Sequence, residues 1–424
     1  MSDRRWHSFP IRIFLLISLF FCIYVAVRRG VGAWYFRQGS PDAIQTAMKW
    51  DRANAQYPDA LGTLMHLYAN GGNSNDIVQL YQDATRLSPH DAQFWADLGA
   101  GNDWAGRTNE ALGALQQARH LFPNSPEINW RLANFYVRTG KISEALRALQ
   151  TVLRGDGAAR RNVFALATRA TGDTKAILGM LPLQAPVFFD YLNFQIERGD
   201  LVGAQEVWAR VLELKLSFDL SKAFPYLDAL IQHKDLVQLL AAWAALTQRF
   251  PTQIEHAAPS SNLVTNGSFD YNILDGGLDW RVVPAEGALV SLDSANAFES
   301  RRALRITFEG SRNLDYGHVF QYVPVQPKTR YRFFGRMRVQ EITTDSGPRF
   351  QVCDGYNLSQ LFASTENLVG TSGWLEQHAE FTTGIDTHLL LIRVARPVSH
   401  KFDSQIAGTV WIAGVSLSSE ELPH

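Results

Sequence analysis

From residue 58 the chain begins to repeat itself every 34 residues, and this constrains its fold more than any other feature. The unit Ala92–Ser125 carries Trp95, Leu98, Gly99, Ala111, Leu115, Ala118 and Pro123. The next, from Pro126, puts Leu132, Ala133, Tyr136, Gly140, Ala145, Leu149 and Val152 at the matching places. The preceding unit, from Pro58, supplies Leu61, Leu64, Tyr68, Ala84 and Pro89. Each unit reads as two antiparallel helices. Alanines let the helices approach, large side chains fill the gap, and proline stops the second helix. The frame continues through Ala185–Leu212 (Tyr191, Leu192, Gly199, Asp200, Ala204, Trp208, Val211) and Leu220–Pro251 (Tyr226, Leu227, Leu239, Trp243, Pro251). Arg160–Met180 is shorter and irregular, and Pro41–Tyr57 is a leading half-unit that caps the array. Five to six helix pairs are expected, and three or more suffice for a continuous core.

These positions resemble the tetratricopeptide repeat over residues 41–252. The resemblance implies an α-solenoid that binds a peptide or protein in its concave groove. The alternative is a spacer that only lifts the C-terminal domain. Trp104, Trp130, Tyr136 and Arg138 could line the groove or simply pack, so none is assigned as a site.

Ahead of the array, Ile13–Val27 is uncharged and mostly apolar. A bilayer asks for roughly 20 apolar residues; Ile11 and Val31–Phe36 extend the run, and Trp34, Tyr35 and Phe36 read as an interfacial belt. This predicts a transmembrane signal anchor over 11–36 after a short cytoplasmic segment, 1–12. A cleaved signal peptide is the alternative, which Ala26-Val27-Arg28 suits poorly. Arg4, Arg5 and Arg12 before the run nearly balance Arg28, Arg29 and Arg37 after it. The orientation is therefore inferred from the C-terminal domain: a single-pass protein of the bacterial inner (cytoplasmic) membrane, with its bulk in the periplasm or extracytoplasmic space.

Composition narrows the function classes. Lys and Arg number 40 against 41 Asp and Glu. The part after residue 260 holds 14 and 18 of them, so the charge is +3 before and −4 after. Neither part resembles a polyanion binder, and no nucleic-acid partner is expected. Cys22 lies in the apolar run and Cys353 far away. No disulfide is expected, and Cys353 reads as a structural thiol because no activating base is evident.

Residues 253–261 read as a linker. Beyond them the period changes to alternation: Leu304, Ile306 and Phe308; Tyr331, Phe333, Met337 and Val339; Leu390, Ile392 and Val394. Half-buried strands between Gly, Pro and Asn/Asp turns predict an antiparallel β-sandwich over 262–418, with a short tail, 419–424. Asn262–Asp270 with Trp280, the Ser300–Ile306 run, Phe320–Val325, Lys328–Phe333, Gly373-Trp374 and Val410–Leu417 resemble carbohydrate-binding modules with a galactose-binding-like jelly-roll fold. That resemblance implies polysaccharide binding. Relatives usually carry acidic residues before the closing Val-Ser-Leu, near a structural calcium. Here Ala413-Gly414 stands there, and Asp270 alone does not supply the several oxygens calcium needs. No cofactor is expected, a structural calcium held partly by backbone carbonyls being the alternative.

Trp280, Trp374 and Trp411 read as framework rather than sugar platforms. Strand parity gives a better guess. With Tyr331, Phe333 and Met337 inward, Arg332, Phe334, Arg336 and Arg338 face out. Arg349, Gln351 and Arg393 oppose Phe350, Val352, Ile392 and Val394 in the same way. These seven are the candidate sugar ligands, with arginine suited to carboxylates; an ordinary solvated sheet face is the alternative. Walker loop, His-Glu-x-x-His and Gly-x-Ser-x-Gly signatures are missing. Asp315, Glu341, Asp354 and Glu376 are scattered, and a glycosidase needs two carboxyls set a few ångströms apart. The expectation is an α + β multidomain, non-enzymatic scaffold with three partners: a membrane, a polysaccharide and an unidentified protein in the repeat groove. The expected setting is bacterial surface or exopolysaccharide handling. A protein-assembly subunit with a purely structural sandwich, or a glycan-active enzyme, are the alternatives.

Overall fold

The computed structural model describes residues 8–68, 73–155, 157–255, 262–402 and 404–419, with backbone only for 8–12. Arg4, Arg5, most of the 253–261 linker and residues 420–424 lie outside the described residues. The chain divides into two compact units, 1–195 with 205–216, and 196–204 with 217–424.

The first unit opens with α1 (Ser8–Phe36), one continuous helix whose apolar side chains from Ile13 to Val27 are almost all exposed. The segment Ser8–Val27, 20 residues, spans about 30 Å at 1.5 Å per residue. The helix does not stop there. α2 (Pro41–Trp50) returns along it, and Arg28 donates from Nε to the Trp50 carbonyl at 2.8 Å and from Nη2 to the Lys49 carbonyl at 3.0 Å. A charged donor on the orphan carbonyls of a helix C-terminus satisfies them and complements the dipole. Tyr35 and Phe36 pack on Ile44, Tyr57 and Leu61, so of the expected aromatic belt only Trp34 is exposed.

Helix hairpins follow: α3 (Gln56–Tyr68) with α4 (Ser74–Leu87), α5 (Ala92–Trp104) with α6 (Thr108–Leu121), α7 (Pro126–Arg138) with α8 (Ile142–Leu153), α9 (Arg160–Thr171) with the seven-residue α10 (Thr174–Met180), and α11 (Ala185–Glu197) with α12 (Leu201–Glu213). The 34-residue period recurs in the hydrogen bonds. Trp95 Nε1 donates to the Pro89 carbonyl and Asn129 Nδ2 to the Pro123 carbonyl, both at 2.8 Å. Gly106 and Gly140 sit at φ +75° and +74° after α5 and α7, where a side chain would be strained. The next amide in each case reaches back 2.8 Å to the carbonyl of Asn102 or Tyr136. Ala111 and Ala145, matching residues, are fully buried.

The second unit holds α13 (Phe224–Gln232), α14 (Leu236–Arg249) and ten strands. Sheet 1 runs β1 (Arg281–Val282), β4 (Tyr316–Pro324), β9 (Leu389–Arg396), β6 (Arg349–Asp354), β7 (Leu361–Ser364). Sheet 2 runs β2 (Ala288–Asp293), β3 (Ala303–Glu309), β10 (Ala407–Ser419), β5 (Arg330–Ile342), β8 (Gly370–Thr382). All pairings are antiparallel. The core between the sheets is Trp280, Phe333, Phe350, Ile306, Ile392, Val394, Ile412 and their neighbours. Trp374 lies inside β8 rather than before it.

One end of the sandwich is tied by Arg396, which is fully buried. Its guanidinium donates to the carbonyls of Ser346 (2.9 Å), Leu314 (2.8 Å) and Ser404 (2.9 Å), to Asn313 Oδ1 (2.7 Å) and to Thr344 Oγ1 (3.3 Å). Every acceptor is neutral.

Candidate functional site

The seven candidate residues do not share a face. β5 belongs to sheet 2, whereas β6 and β9 are neighbours in sheet 1. Both groups point outward as parity requires, because Tyr331, Phe333, Met337, Phe350, Val352, Ile392 and Val394 are core. They point out of opposite sheets, so Arg332, Phe334, Arg336 and Arg338 form one face and Arg349, Gln351 and Arg393 another.

The arginines of the sheet 2 face are paired or stacked, although the Nε atoms of Arg305 and Arg336 are buried without an acceptor. Cross-strand register puts Arg332 opposite Glu380 and Arg336 opposite Glu376. Glu380 takes Arg330 at 2.5 Å and Arg332 at 3.3 Å, and these arginines hold its carboxyl below the usual range. Arg336 pairs with Glu376 (3.1 Å) and Glu299 (3.3 Å), and stacks over Phe298 and Phe334. Arg338 and Arg305 both lie against the Trp411 ring, at 4.9 and 5.9 Å from its centroid, and Arg338 also donates to Asn296 Oδ1. Trp411 Nε1 donates to Asp293 at 2.8 Å, the main reason that carboxyl falls to about 2. Phe298 completes the cover against Trp374. The connection between β2 and β3 thus lies over this face, and Trp374 and Trp411 pack beneath it while Trp280 is core.

Sheet 1 presents a different surface. Register aligns Arg281, Phe320, Arg393 and Gln351 in one row across β1, β4, β9 and β6. Tyr322, Leu391 and Cys353 form the next row, and Ala395 with Arg349 the row on the other side. Phe320, Tyr322, Arg349, Gln351 and Arg393 are all half-buried. Arg393 donates from Nε (3.1 Å) and Nη2 (2.8 Å) to Gln351 Oε1. Its Nη1 lies over Gly317, where a Cβ would come within 3.3 Å. Phe320 and Tyr322 meet edge to face at 5.7 Å. Cys353, on the same side of the sheet as Gln351, is buried, and burial raises its thiol pKa. Two half-buried aromatics beside an amide and guanidinium groups make a surface that can stack on an apolar ring face while bonding its polar rim.

The sequence reading passed over Phe320, Tyr322 and Arg281. The signal was available in β4, where Val319 and Val323 are core and the residues between them must alternate. Gln321 obscures it. This glutamine points inward, fully buried, with its amide paired to the Thr265 backbone at 3.0 and 2.8 Å.

α13 and α14 close one end of this surface. Arg281 pairs with Asp228 at 2.5 Å and lies over the Tyr322 ring, and Lys234 lies over Tyr356. Phe224 abuts Gly276; Trp243 and Leu227 abut Gly277, which sits at φ +60°.

Asp270 is committed elsewhere. Its carboxylate accepts from the Arg301 amide at 2.7 Å, and Arg302 bonds its carbonyl and Asn272, beside an open pocket of about 470 Å³. Among the described residues no group of three or more His, Cys, Asp or Glu could hold a metal.

In the first unit a pocket of about 420 Å³ is lined by Ala100, Asp103, Trp130, Asn134, Arg138 and Arg169, among others. Trp130 and Arg138 thus reach a concavity. Trp104 instead is exposed and lies tilted against His66, and Tyr136 is buried against Phe135. Arg131 and Asp97, 34 residues apart at the same repeat position, pair at 2.5 Å.

A tetratricopeptide-repeat family model matches residues 105–170. Among solved structures, MamA protein aligns at 16% identity over 46% of this chain and 98% of its own, with a TM-score of 0.32. For pilF of Pseudomonas aeruginosa the values are 14%, 45%, 91% and 0.30. For a family 16 carbohydrate-binding module they are 17%, 37%, 99% and 0.26. No curated protein sequence matches. The repeat character of the helices therefore stands on the family model and on the 34-residue period of their bonds. That of the β-sandwich stands on its own two sheets.

Proposed function

We propose that this chain is a membrane-anchored, non-enzymatic scaffold. α1 tethers it as a single span of a bacterial inner membrane, the repeats bind or space an envelope protein, and the sandwich binds polysaccharide on the extracytoplasmic side. Surface or exopolysaccharide handling is the setting that joins these parts. The observation that carries the reading is the sheet 1 face, where Phe320, Tyr322, Gln351, Arg349 and Arg393 stand half-buried on adjoining strands. Polar side chains flanking aromatic rings are what a sugar requires: apolar ring faces to stack on, and fixed partners for its hydroxyls. On the repeat side, the pocket beside Trp130 and Arg138 offers a concave surface of the kind that takes a peptide.

Titration of the purified full chain against a panel of neutral and acidic polysaccharides tests the proposal. Binding weakened by Phe320→Ala and unaffected by Phe334→Ala supports it; silence across the panel defeats it. A second reading is favoured by the α13–α14 contacts: the sandwich is an assembly element held to the last hairpin. It predicts that Phe320→Ala alters nothing, while disruption of the Arg281–Asp228 pair loosens the hairpin.

A further inference from the structure

Apart from Arg281, which pairs with Asp228 at the edge of sheet 1, the arginines of the two outer faces are partnered differently. On sheet 2, Arg330, Arg332 and Arg336 are held by Glu380, Glu376 and Glu299, and Arg305 and Arg338 lie on Trp411. On sheet 1, no ion pair joins Arg349 or Arg393 to a carboxylate among the described residues. Arg349 is the poorer of the two. Its Nη2 finds only Ser346 Oγ at 3.4 Å and the Gly347 carbonyl at 3.5 Å, and its Nε is buried with no acceptor. Burial pulls its pKa down, so it has lost hydration without gaining a counter-charge. The buried Arg396 lies near enough for the two guanidinium charges to oppose each other, though Asp345 and Asp315 also act on Arg396. Arg396 itself is saturated by five neutral acceptors, whereas Arg349 has neither a full acceptor set nor an anion.

A half-buried guanidinium in this state gains most from an incoming anion, because the desolvation has already been borne by the fold. Register sets the place. Arg393 is opposite Gln351, and Arg349 is two residues along the same strand, so the two arginines are diagonal neighbours roughly 7–8 Å apart. Gly317 lets the Arg393 guanidinium lie close over the strand, where a Cβ would come within 3.3 Å of Nη1.

Resting on the polysaccharide reading above, we propose that the glycan is acidic. A uronate carboxylate seats between Arg349 and Arg393, and the sugar ring lies against Phe320. Gln351 is a positioning residue that fixes the Arg393 fork through its single carbonyl oxygen.

The test uses the full chain in lipid nanodiscs. The probes are polygalacturonate, alginate and hyaluronate, each compared with its carboxyl-reduced, neutral form. One or more acidic polymers are expected to bind about tenfold or more tightly than the reduced counterpart. That advantage is expected to shrink as NaCl rises from about 50 to about 500 mM, which shortens the screening length. Arg349→Gln and Arg393→Gln each remove about tenfold in affinity for the acidic form, the scale of one lost hydrogen bond to a charged group. Arg336→Gln, on the carboxylate-paired face, changes nothing. Equal binding of acidic and reduced polymers, independent of salt, overturns the uronate assignment and leaves the polysaccharide reading standing. Binding of no polymer, acidic or neutral, defeats both. The salt and reduction arms use the unmodified protein and hold even where an arginine variant folds poorly.

Discussion

Replacing Arg396 with leucine removes five donors from a closed site while every acceptor stays. The carbonyls of Leu314, Ser346 and Ser404, together with Asn313 Oδ1 and Thr344 Oγ1, would face a hydrocarbon. Each buried acceptor left bare costs about 1–3 kcal/mol. These acceptors lie in the three connections β3–β4, β5–β6 and β9–β10, and water entering through them recovers part of that for the outermost groups. A net loss of about 3–5 kcal/mol is expected, in the range seen when one side of a buried polar network is removed. With a urea m-value of about 2 kcal/mol per molar, the unfolding midpoint of the sandwich falls by about 1.5–2.5 M. Arg396→Lys keeps the charge but offers three donors in place of five and no planar fork, so it lands between leucine and wild type. Tryptophan emission, with fully buried Trp280 as the sandwich probe, follows the transition. Hydrogen exchange at 313–315, 344–347 and 399–406 locates it. An unfolding midpoint within about 0.3 M of wild type for the leucine variant, equal to roughly 0.6 kcal/mol, would refute the claim that this arginine holds the three connections together.

Burial, together with the charges of Asp97 and Asp91, pushes the Asp59 carboxyl up to about 7 from 3.8. The folded state then binds this proton more tightly than the unfolded one, so the contribution is present in full below about pH 4 and is lost as pH rises through about 7. Asp59→Asn should flatten the loss of repeat stability between about pH 4 and about pH 7, read as amide exchange in α3–α5 against pH. An unchanged slope counts against it. Gly277→Ala introduces a side chain at φ +60° against the Trp243 ring, and should cost about 2–3 kcal/mol. Its signature is faster exchange confined to 224–249. A reporter fused at His424 should sit outside the cytosol, and a cytosolic reporter removes the polysaccharide from reach.

The periodicities of the chain were legible because they are local. Helical spacing in the repeats and alternation in β5 and β9 follow from side-chain geometry within each element, and both correspond to the buried sets. Which sheet a strand joins is not local. Arg338 and Arg349 are only eleven residues apart, yet the connection between β5 and β6 carries the chain from sheet 2 to sheet 1. Parity therefore assigned each arginine an outward direction without revealing that outward means two opposite directions. Gln321 illustrates a second limit. A glutamine whose two amide bonds are both met by the Thr265 backbone can occupy core, and hydropathy then reads the β4 alternation the wrong way round. The end of α1 is a third: Tyr35 and Phe36 suit a lipid interface and a protein interior equally, and the return of α2 decides for the interior.

The bond from Arg28 to the last carbonyls of α2 bears on mechanics. α1 enters the array without a break, and the guanidinium bolts the returning helix to it at the level where the lipid-compatible surface ends. With α1 in a bilayer, no swivel separates the rod in the lipid from the first hairpin. Tilting or rotating the rod would turn that hairpin with it, so local bilayer thickness would set the angle at which the repeats leave the membrane.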